Sequence, residues 1–365
     1  MKILMILSSP DKTGLTTHTL DLSAALVQLG HEVSLLTTVD MPKTAEQEFF
    51  IRSFIQKGIY VIQLNNKKGR IGQFLMVFSF LRELIQRKYD VIHVQSPYYT
   101  FLPWLLHKRF VSTLHVNDLV RCFYYKNATH LIAISEETKR YAKKIFAYND
   151  KDVTIVNHGV SLRFANTFSQ EEKTLFKREH DIPCDKIIIG LVASIEKRKG
   201  HDILLKAIYH LSEELKSKIH VVFVGSSKDG KTNEWLQDLI KQYGEERVSC
   251  FPYQDPEAFY KIFDIFVLPS RLEGFPLVLI EAMLSGCCVL RSNTEGAYEQ
   301  INSGVNGFIF ENENVEQLTE LLNTLIRDTS LMYKIAKAGK EKALKEFTSE
   351  VMAKKTLEVY KKVVS

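Results

Sequence analysis

The chain has 365 residues, 45% of them hydrophobic and 25% charged, a globular composition with length enough for two domains. Its net charge of +5 is unevenly divided: 21 Lys and Arg face 13 Asp and Glu up to Ala165, and 27 face 30 afterwards, so the first half is the part suited to an acidic partner. The five cysteines, Cys122, Cys184, Cys250, Cys287 and Cys288, are odd in number and show no CxxC spacing, which argues against a disulfide scaffold or a structural cysteine-zinc site and points to a reducing compartment.

The amino-terminal "MKILMILSSPDKTG" has about six apolar residues before turn residues begin, too few for a signal peptide or a membrane span, and reads as a first strand in a cytoplasmic protein. A helical "THTLDLSAALVQLG" and a strand "HEVSLLTT" follow, and the rhythm continues through "DVIHVQS", "FVSTLHV", "HLIAIS" and "VTIVNHG". The polar "NTFSQEEKTLFKREHDIPCDK" then marks a junction. A second series runs through "KIIIGLVAS", "IHVVFVG", "VSCFPY", "IFVLPS" and "CCVLRSN". Strands alternating with helices predict an α/β protein of two doubly wound parallel-sheet units, residues 1–165 and 166–347, facing one another with ligands at the carboxyl ends of their strands. The terminal "SEVMAKKTLEVYKKVV" reads as a helix over about 348–365 that returns to the first unit.

Within the first series, Asn65 to Lys88 sets Lys67, Lys68 and Arg70 before an apolar helical run and Arg82, Arg87 and Lys88 after it, and 101–110 repeats the mixture. Such segments either close a core with solvated ends or dock on an anionic membrane surface. No nucleic-acid partner is expected.

Two motifs compete for the chemistry. "GSSKDGKT" places Gly225, Gly230, Lys231 and Thr232 at the spacing of a phosphate-cradling P-loop, the basis of an alternative reading as a nucleotide hydrolase. "SRLEGFPLVLIEAMLSG", Ser270 to Gly286, sets Glu273 in a loop, Gly274 to Pro276 in a turn, and the start of a helix near Leu277, whose free amides suit a diphosphate. Glu281 then falls inside an apolar helix, where a carboxylate needs a partner, and ribose hydroxyls would serve. "DKD" at Asp150 to Asp152 imitates metal-binding aspartates but sits in a charged turn, and reads as surface.

Glu273, seven residues and Glu281, in the form "EGFPLVLIEAM", closely resemble the donor motif of the family 4 glycosyltransferases, retaining enzymes of the GT-B fold. "GLTTHTLDLSAALVQLGHEVSLLTT", "YDVIHVQS", "STLHVNDL", "LIAISEET" and "IVNHGV" are similar to successive stretches of that family's first domain. "ASIEKRKGHDILLKA" and "SNTEGAYEQINSGVNGFIF" resemble its phosphate-binding loop and late glycine-rich turn. The resemblance implies GT-B architecture, two Rossmann-like domains across a cleft, and sugar transfer from a nucleotide sugar, UDP-linked or GDP-linked, to a glycan or lipid-linked glycan. A protein of the same fold that binds, hydrolyses or isomerises the donor without transfer is the other outcome.

By the same resemblance Lys199, with Arg198 beside it, would hold the donor phosphates, and the amides of Leu277 and Val278 would join them. Glu281 would bind the ribose, while Glu273, Gly274, Phe275 and Pro276 would face the sugar and Tyr253 the base. Gly14 would let the donor approach the first loop. His115 maps to the histidine near the reaction centre, and Asp118 would lie on the acceptor side. The family commonly has an arginine where Ser194 stands here, which puts more on Lys199 or Arg198. With no metal-ligand cluster visible in the sequence, neither a cofactor nor a metal is expected, and cations and helix amides would stabilise the leaving diphosphate.

Overall fold

A computed structural model describes residues 1–66, 69–227 and 234–364, which form two compact units: Met1–Ser161 with Phe347–Ser365, and Leu162–Glu346. The division falls a turn before Ala165. Phe164 packs edge-on against Tyr260 at 5.8 Å between ring centres, and its carbonyl accepts from the Ser285 hydroxyl at 3.0 Å, so this turn belongs to the second unit.

In the first unit seven parallel strands lie in the order β3-β2-β1-β4-β5-β6-β7. They are β1 (Lys2–Leu7), β2 (Glu32–Val39), β3 (Tyr60–Asn65), β4 (Val91–Val94), β5 (Val111–Leu114), β6 (His130–Ala133) and β7 (Val153–Ile155). Strand β1 shows why the sheet is covered on both sides. Ile3, Met5 and Leu7 point into one core with Leu22, Leu26, Met352 and Val359, while Leu4 and Ile6 point into another with Phe80, Leu84 and Val94.

Helix Ser349–Val364 closes the first of these cores against helix Gly14–Gln28. Its Tyr360 hydroxyl bonds Nδ1 of buried His93 at 2.7 Å. Helix Gly69–Gln86 closes the other, burying Phe80 and Leu84 while Phe74, Phe78 and Ile85 are exposed. Lys67 and Lys68 lie outside the described residues. No helix among the described residues is long and apolar enough to cross a membrane.

The second unit has six parallel strands in the order β10-β9-β8-β11-β12-β13. They are β8 (Ile187–Val192), β9 (Ile219–Val224), β10 (Val248–Phe251), β11 (Ile265–Leu268), β12 (Cys288–Ser292) and β13 (Phe308–Phe310). In both sheets the order in which successive strands are laid down reverses beside the first strand, between β1 and β4 and between β8 and β11. That reversal is the switch point at which such sheets leave a crevice outside the carboxyl ends of the strands. Helix Leu277–Ser285 follows β11 and is buried almost throughout.

Candidate functional site

In the second unit the two loops that leave the switch point meet. The loop after β8 carries Ser194, Glu196, Arg198 and Lys199, and the loop after β11 carries Arg271, Glu273 and Gly274 to Pro276. Lys199 Nζ donates to Glu273 Oε1 at 2.6 Å, with side chains only 15% and 10% exposed. Gly200 makes this approach possible. It has φ +75°, and a Cβ there would stand 2.0 Å from the Pro269 carbonyl oxygen.

A second layer locks the loops together. The Arg271 guanidinium donates to both oxygens of Asp202, each at 2.9 Å, and to Glu313 Oε1 at 2.7 Å, and these partners keep it more basic than an ordinary arginine. Its backbone amide donates to the Arg198 carbonyl at 2.8 Å. Arg198 in turn donates to the Leu272 carbonyl at 3.0 Å and to Glu196 Oε1 at 3.0 Å. Ser194 donates to that same Glu196 oxygen at 2.7 Å. Burial acts to raise the pKa of Glu196, but Ser194, Arg198 and Lys199 outweigh it and hold that pKa below the usual value. Thus the serine at the position where the resemblance expects an arginine shares one carboxylate oxygen with Arg198.

Helix Leu277–Ser285 begins directly after this loop with Pro276 as its N-cap, a residue whose side chain makes no capping hydrogen bond. The amides of Leu277 and Val278 are therefore at an electropositive helix start whose N-cap supplies no side-chain acceptor. Glu281, one turn on, is buried, and the Tyr260 hydroxyl donates to its Oε2 at 2.9 Å. Burial and then the neighbouring Glu281 push Tyr260 well above its ordinary pKa, so the phenol remains a donor. A protein partner thus stands beside the carboxylate for which the sequence suggested ribose. Phe275 is buried, and Tyr253 is exposed with its amide bonded to Ser226 Oγ at 2.9 Å.

Arg291 is a supporting residue that the sequence did not flag. It lies fully buried in β12, among the apolar "CCVL" run, and its guanidinium bonds the carbonyls of Ser292, Thr294 and Glu295 and the side chains of Thr294 and Gln300. Gln300 Nε2 then donates to the Pro276 carbonyl at 3.1 Å. The arginine therefore supports the turn that precedes the Leu277 helix. A charged residue inside a buried strand is the signal that could have found it.

Gly225, the first glycine of the P-loop spacing, follows β9, a strand away from the switch point. Its amide donates to the Phe251 carbonyl at 2.9 Å, and a Cβ there would meet the Ala193 carbonyl oxygen at 1.8 Å, so close packing explains it. Gly230, Lys231 and Thr232 lie outside the described residues. Asp150 pairs with Lys139 and Lys143, each at 3.1 Å, as a surface turn.

In the first unit, the ends of β1, β4, β5 and β7 converge on histidines. Gly14 opens helix Gly14–Gln28 with open space where a Cβ would stand, and His18 lies on the next turn, buried. His115 follows β5 and His158 follows β7. His115 Nδ1 is 3.1 Å from His158 Nε2, and its Nε2 is 3.0 Å from Gln95 Oε1. Because Gln95 offers a carbonyl oxygen, His115 is the Nε2–H tautomer and its Nδ1 is a lone pair. The His18 ring centre is 4.9 Å from that of His115 and 4.5 Å from that of His158. One nitrogen from each ring lies within 4.8 Å of the others, a grouping of metal-ligand type that the sequence did not reveal. Burial, and then the neighbouring histidines, keep His18 and His115 neutral by lowering both pKa values well below the usual one. Asp118 is exposed three residues beyond His115.

Two parallel doubly wound sheets are compatible with the GT-B fold, and comparison with known proteins identifies it. The family model described as "Glycosyltransferase Family 4" matches residues 12–164, and that described as "Glycosyl transferases group 1" matches 172–342. An uncharacterized glycosyltransferase of Methanocaldococcus jannaschii is 25% identical over 95% of this chain and 94% of its own. The capsular polysaccharide biosynthesis glycosyltransferase CapM of Staphylococcus aureus is 29% identical over 62% of this chain and 59% of its own. Among solved structures, a glycosyltransferase from Rickettsia africae superposes with a TM-score of 0.84 at 21% identity, covering 100% of this chain and 98% of that one. HepE of Anabaena, solved in complex with UDP-glucose, superposes with a TM-score of 0.82 at 20% identity, covering 99% and 100%. The chain belongs to the family 4 glycosyltransferases.

Proposed function

We propose that the chain is a retaining transferase that moves a sugar from a nucleoside-diphosphate sugar, UDP-linked in preference to GDP-linked, to a glycan or lipid-linked glycan, without a metal ion. The observation that carries this reading is the pairing of Lys199 with Glu273 at the head of the Leu277 helix, on the two loops that leave the switch point. The UDP-glucose in the HepE structure and the capsule role in the name of CapM support the choice of donor and product.

In the proposed reaction the bond from the anomeric carbon to the donor phosphate breaks, and a bond from the same face to the acceptor oxygen forms. The acceptor proton passes to the leaving diphosphate. Negative charge grows on that diphosphate, and the Lys199 ammonium with the amides of Leu277 and Val278 is placed to stabilise it. Glu273 then exchanges its lysine contact for sugar hydroxyls, together with the backbone of Gly274 to Pro276. Glu281, steadied by Tyr260, takes the ribose, and Tyr253 lies against the base. Arg198 serves where the family arginine is replaced by Ser194. His115 is assigned to the sugar and Asp118 to the acceptor by resemblance.

The exposed Phe74 and Phe78, and Trp104 and Leu105 in the 101–110 segment, are proposed to rest on the inner face of the cell membrane, where a lipid-linked acceptor would be found. The test is a transfer assay with UDP-glucose, UDP-galactose, UDP-N-acetylglucosamine and GDP-mannose over a panel of lipid-linked acceptors. A product of retained anomeric configuration, formed at the same rate with a chelator present, supports the reading. An inverted product, or a rate abolished by the chelator and restored by magnesium, contradicts it.

A further inference from the structure

We propose that His18, His115 and His158 form a binding site for a zinc-class divalent cation within the first unit, and that its occupation takes His115 away from sugar transfer. The cation-binding half stands on geometry alone, and the inhibitory half rests on the role proposed above for His115.

The first observation is His18. Its ring is buried, and neither of its nitrogens has a hydrogen-bond partner among the described residues. A buried imidazole with both nitrogens unmatched is costly unless something supplies the missing contact. The second is the company it keeps. One nitrogen from each of the three rings lies within 4.8 Å of the others, and the His115–His158 pair is already at 3.1 Å. Zinc bound at about 2.0–2.1 Å by tetrahedrally arranged nitrogens needs them about 3.3 Å apart, so small ring rotations would close the set.

The third is the surrounding hydrogen bonding. His115 donates its other ring N–H to Gln95 Oε1 at 3.0 Å, which fixes the tautomer that leaves Nδ1 as a lone pair toward the cluster. Gln95 is itself fully buried at the end of β4. A buried amide orienting one ring while two others converge is the arrangement metal-binding histidines use. His115 Nδ1 accepts from His158 Nε2–H in this arrangement, so a cation would bind once that proton leaves Nε2, and the neutral rings then offer lone pairs that suit a Lewis acid better than an anion. Three histidines leave the fourth position of a tetrahedral ion for water.

The experiment uses the full chain, freed of metal and titrated with Zn²⁺ by calorimetry, and with Co²⁺ as a spectroscopic stand-in whose visible bands report four-coordinate geometry. One equivalent should bind, the Co²⁺ spectrum should be tetrahedral, and zinc should raise the melting temperature. His18→Phe removes a ligand together with the unmatched nitrogens. Without zinc this variant should melt no lower than the parent, and with zinc it should show no shift. His158→Gln should also lose the site, Gln95→Leu should weaken it about 10–100-fold, and the exposed His210→Gln should leave it intact.

No saturable equivalent in the parent, or equal binding by His18→Phe, would overturn the proposal. In the transfer assay, zinc should stop turnover while the thermal response to UDP, a property of the second unit, persists. If the transferase reading itself fails, no turnover appears at any zinc level, yet the titration still counts one equivalent.

Discussion

Lys199 and Glu273 are held 2.6 Å apart from loops that leave neighbouring strands on either side of the reversal in the second sheet, with little of either side chain in contact with solvent. Each therefore neutralises the other in the resting protein, and a bound diphosphate would compete for the lysine. Lys199→Ala should weaken binding of a nucleoside diphosphate and lower turnover by about 10²-fold, the scale for losing one preorganised donor to a developing charge. It should also destabilise the second unit by about 3–5 kcal/mol, since Glu273 would be left without its partner. Lys199→Ala with Glu273→Gln should recover much of that stability and none of the turnover, as read by denaturant melts beside the transfer assay.

Arg291 supplies a different kind of test, because it touches only the chain that supports the site. Arg291→Met would leave the carbonyls of Ser292, Thr294 and Glu295 without this donor, and the melting temperature of the second unit should fall on the order of 10 °C. A melting temperature within a degree or two of the parent would show that the buried guanidinium does not organise this turn.

The first unit should be acid-sensitive. Burial lowers the pKa of His93 from 6.5 to about 3, and its two nitrogens bond Tyr360 and Thr113, each at 2.7 Å. The unfolded chain therefore binds a proton between about pH 6.5 and 3 that the folded one refuses. Stability is complete above that window and is lost as pH falls through it, by a few kcal/mol from His93 alone and further from His18 and His115, which shift the same way. His93→Gln should flatten the fall in stability between pH 6.5 and 5 measured by urea melts, and an unchanged slope would assign the acid sensitivity elsewhere.

Lys231 should be dispensable. Gly225 owes its place to packing against Ala193, and the strand it follows is not at the switch point. Lys231→Ala should leave transfer within about twofold of the parent, the scatter expected of a residue that takes no part in donor binding. Loss of all turnover in that variant would restore the P-loop.

Strands buried on both faces, such as "IHVVFV", whose six residues are all buried, could be read from the sequence. Two of the four edge strands could not: β3 has no fully buried residue and β13 is three residues long, so neither makes the continuous apolar run of an inner parallel strand, whereas the edges β7 and β10 were legible in "VTIVNHG" and "VSCFPY". The site divides the same way. Glu273 and Glu281 are eight positions apart along one loop and helix, and short spacing is visible in a sequence. His18 and His158 come from opposite ends of the first unit's chain, and their meeting with His115 depends on the strand order. Gln95 and Arg291 were hidden because each is a lone polar residue at or near the end of an apolar strand.

The most direct measurement is a thermal-shift comparison of UDP, GDP, ADP and ATP, with and without magnesium, on the parent chain and on Lys199→Ala and Lys231→Ala. The account predicts a rise in melting temperature with UDP, independent of magnesium, kept in Lys231→Ala and lost in Lys199→Ala. A rise confined to magnesium-ATP, kept in Lys199→Ala and lost in Lys231→Ala, would contradict it.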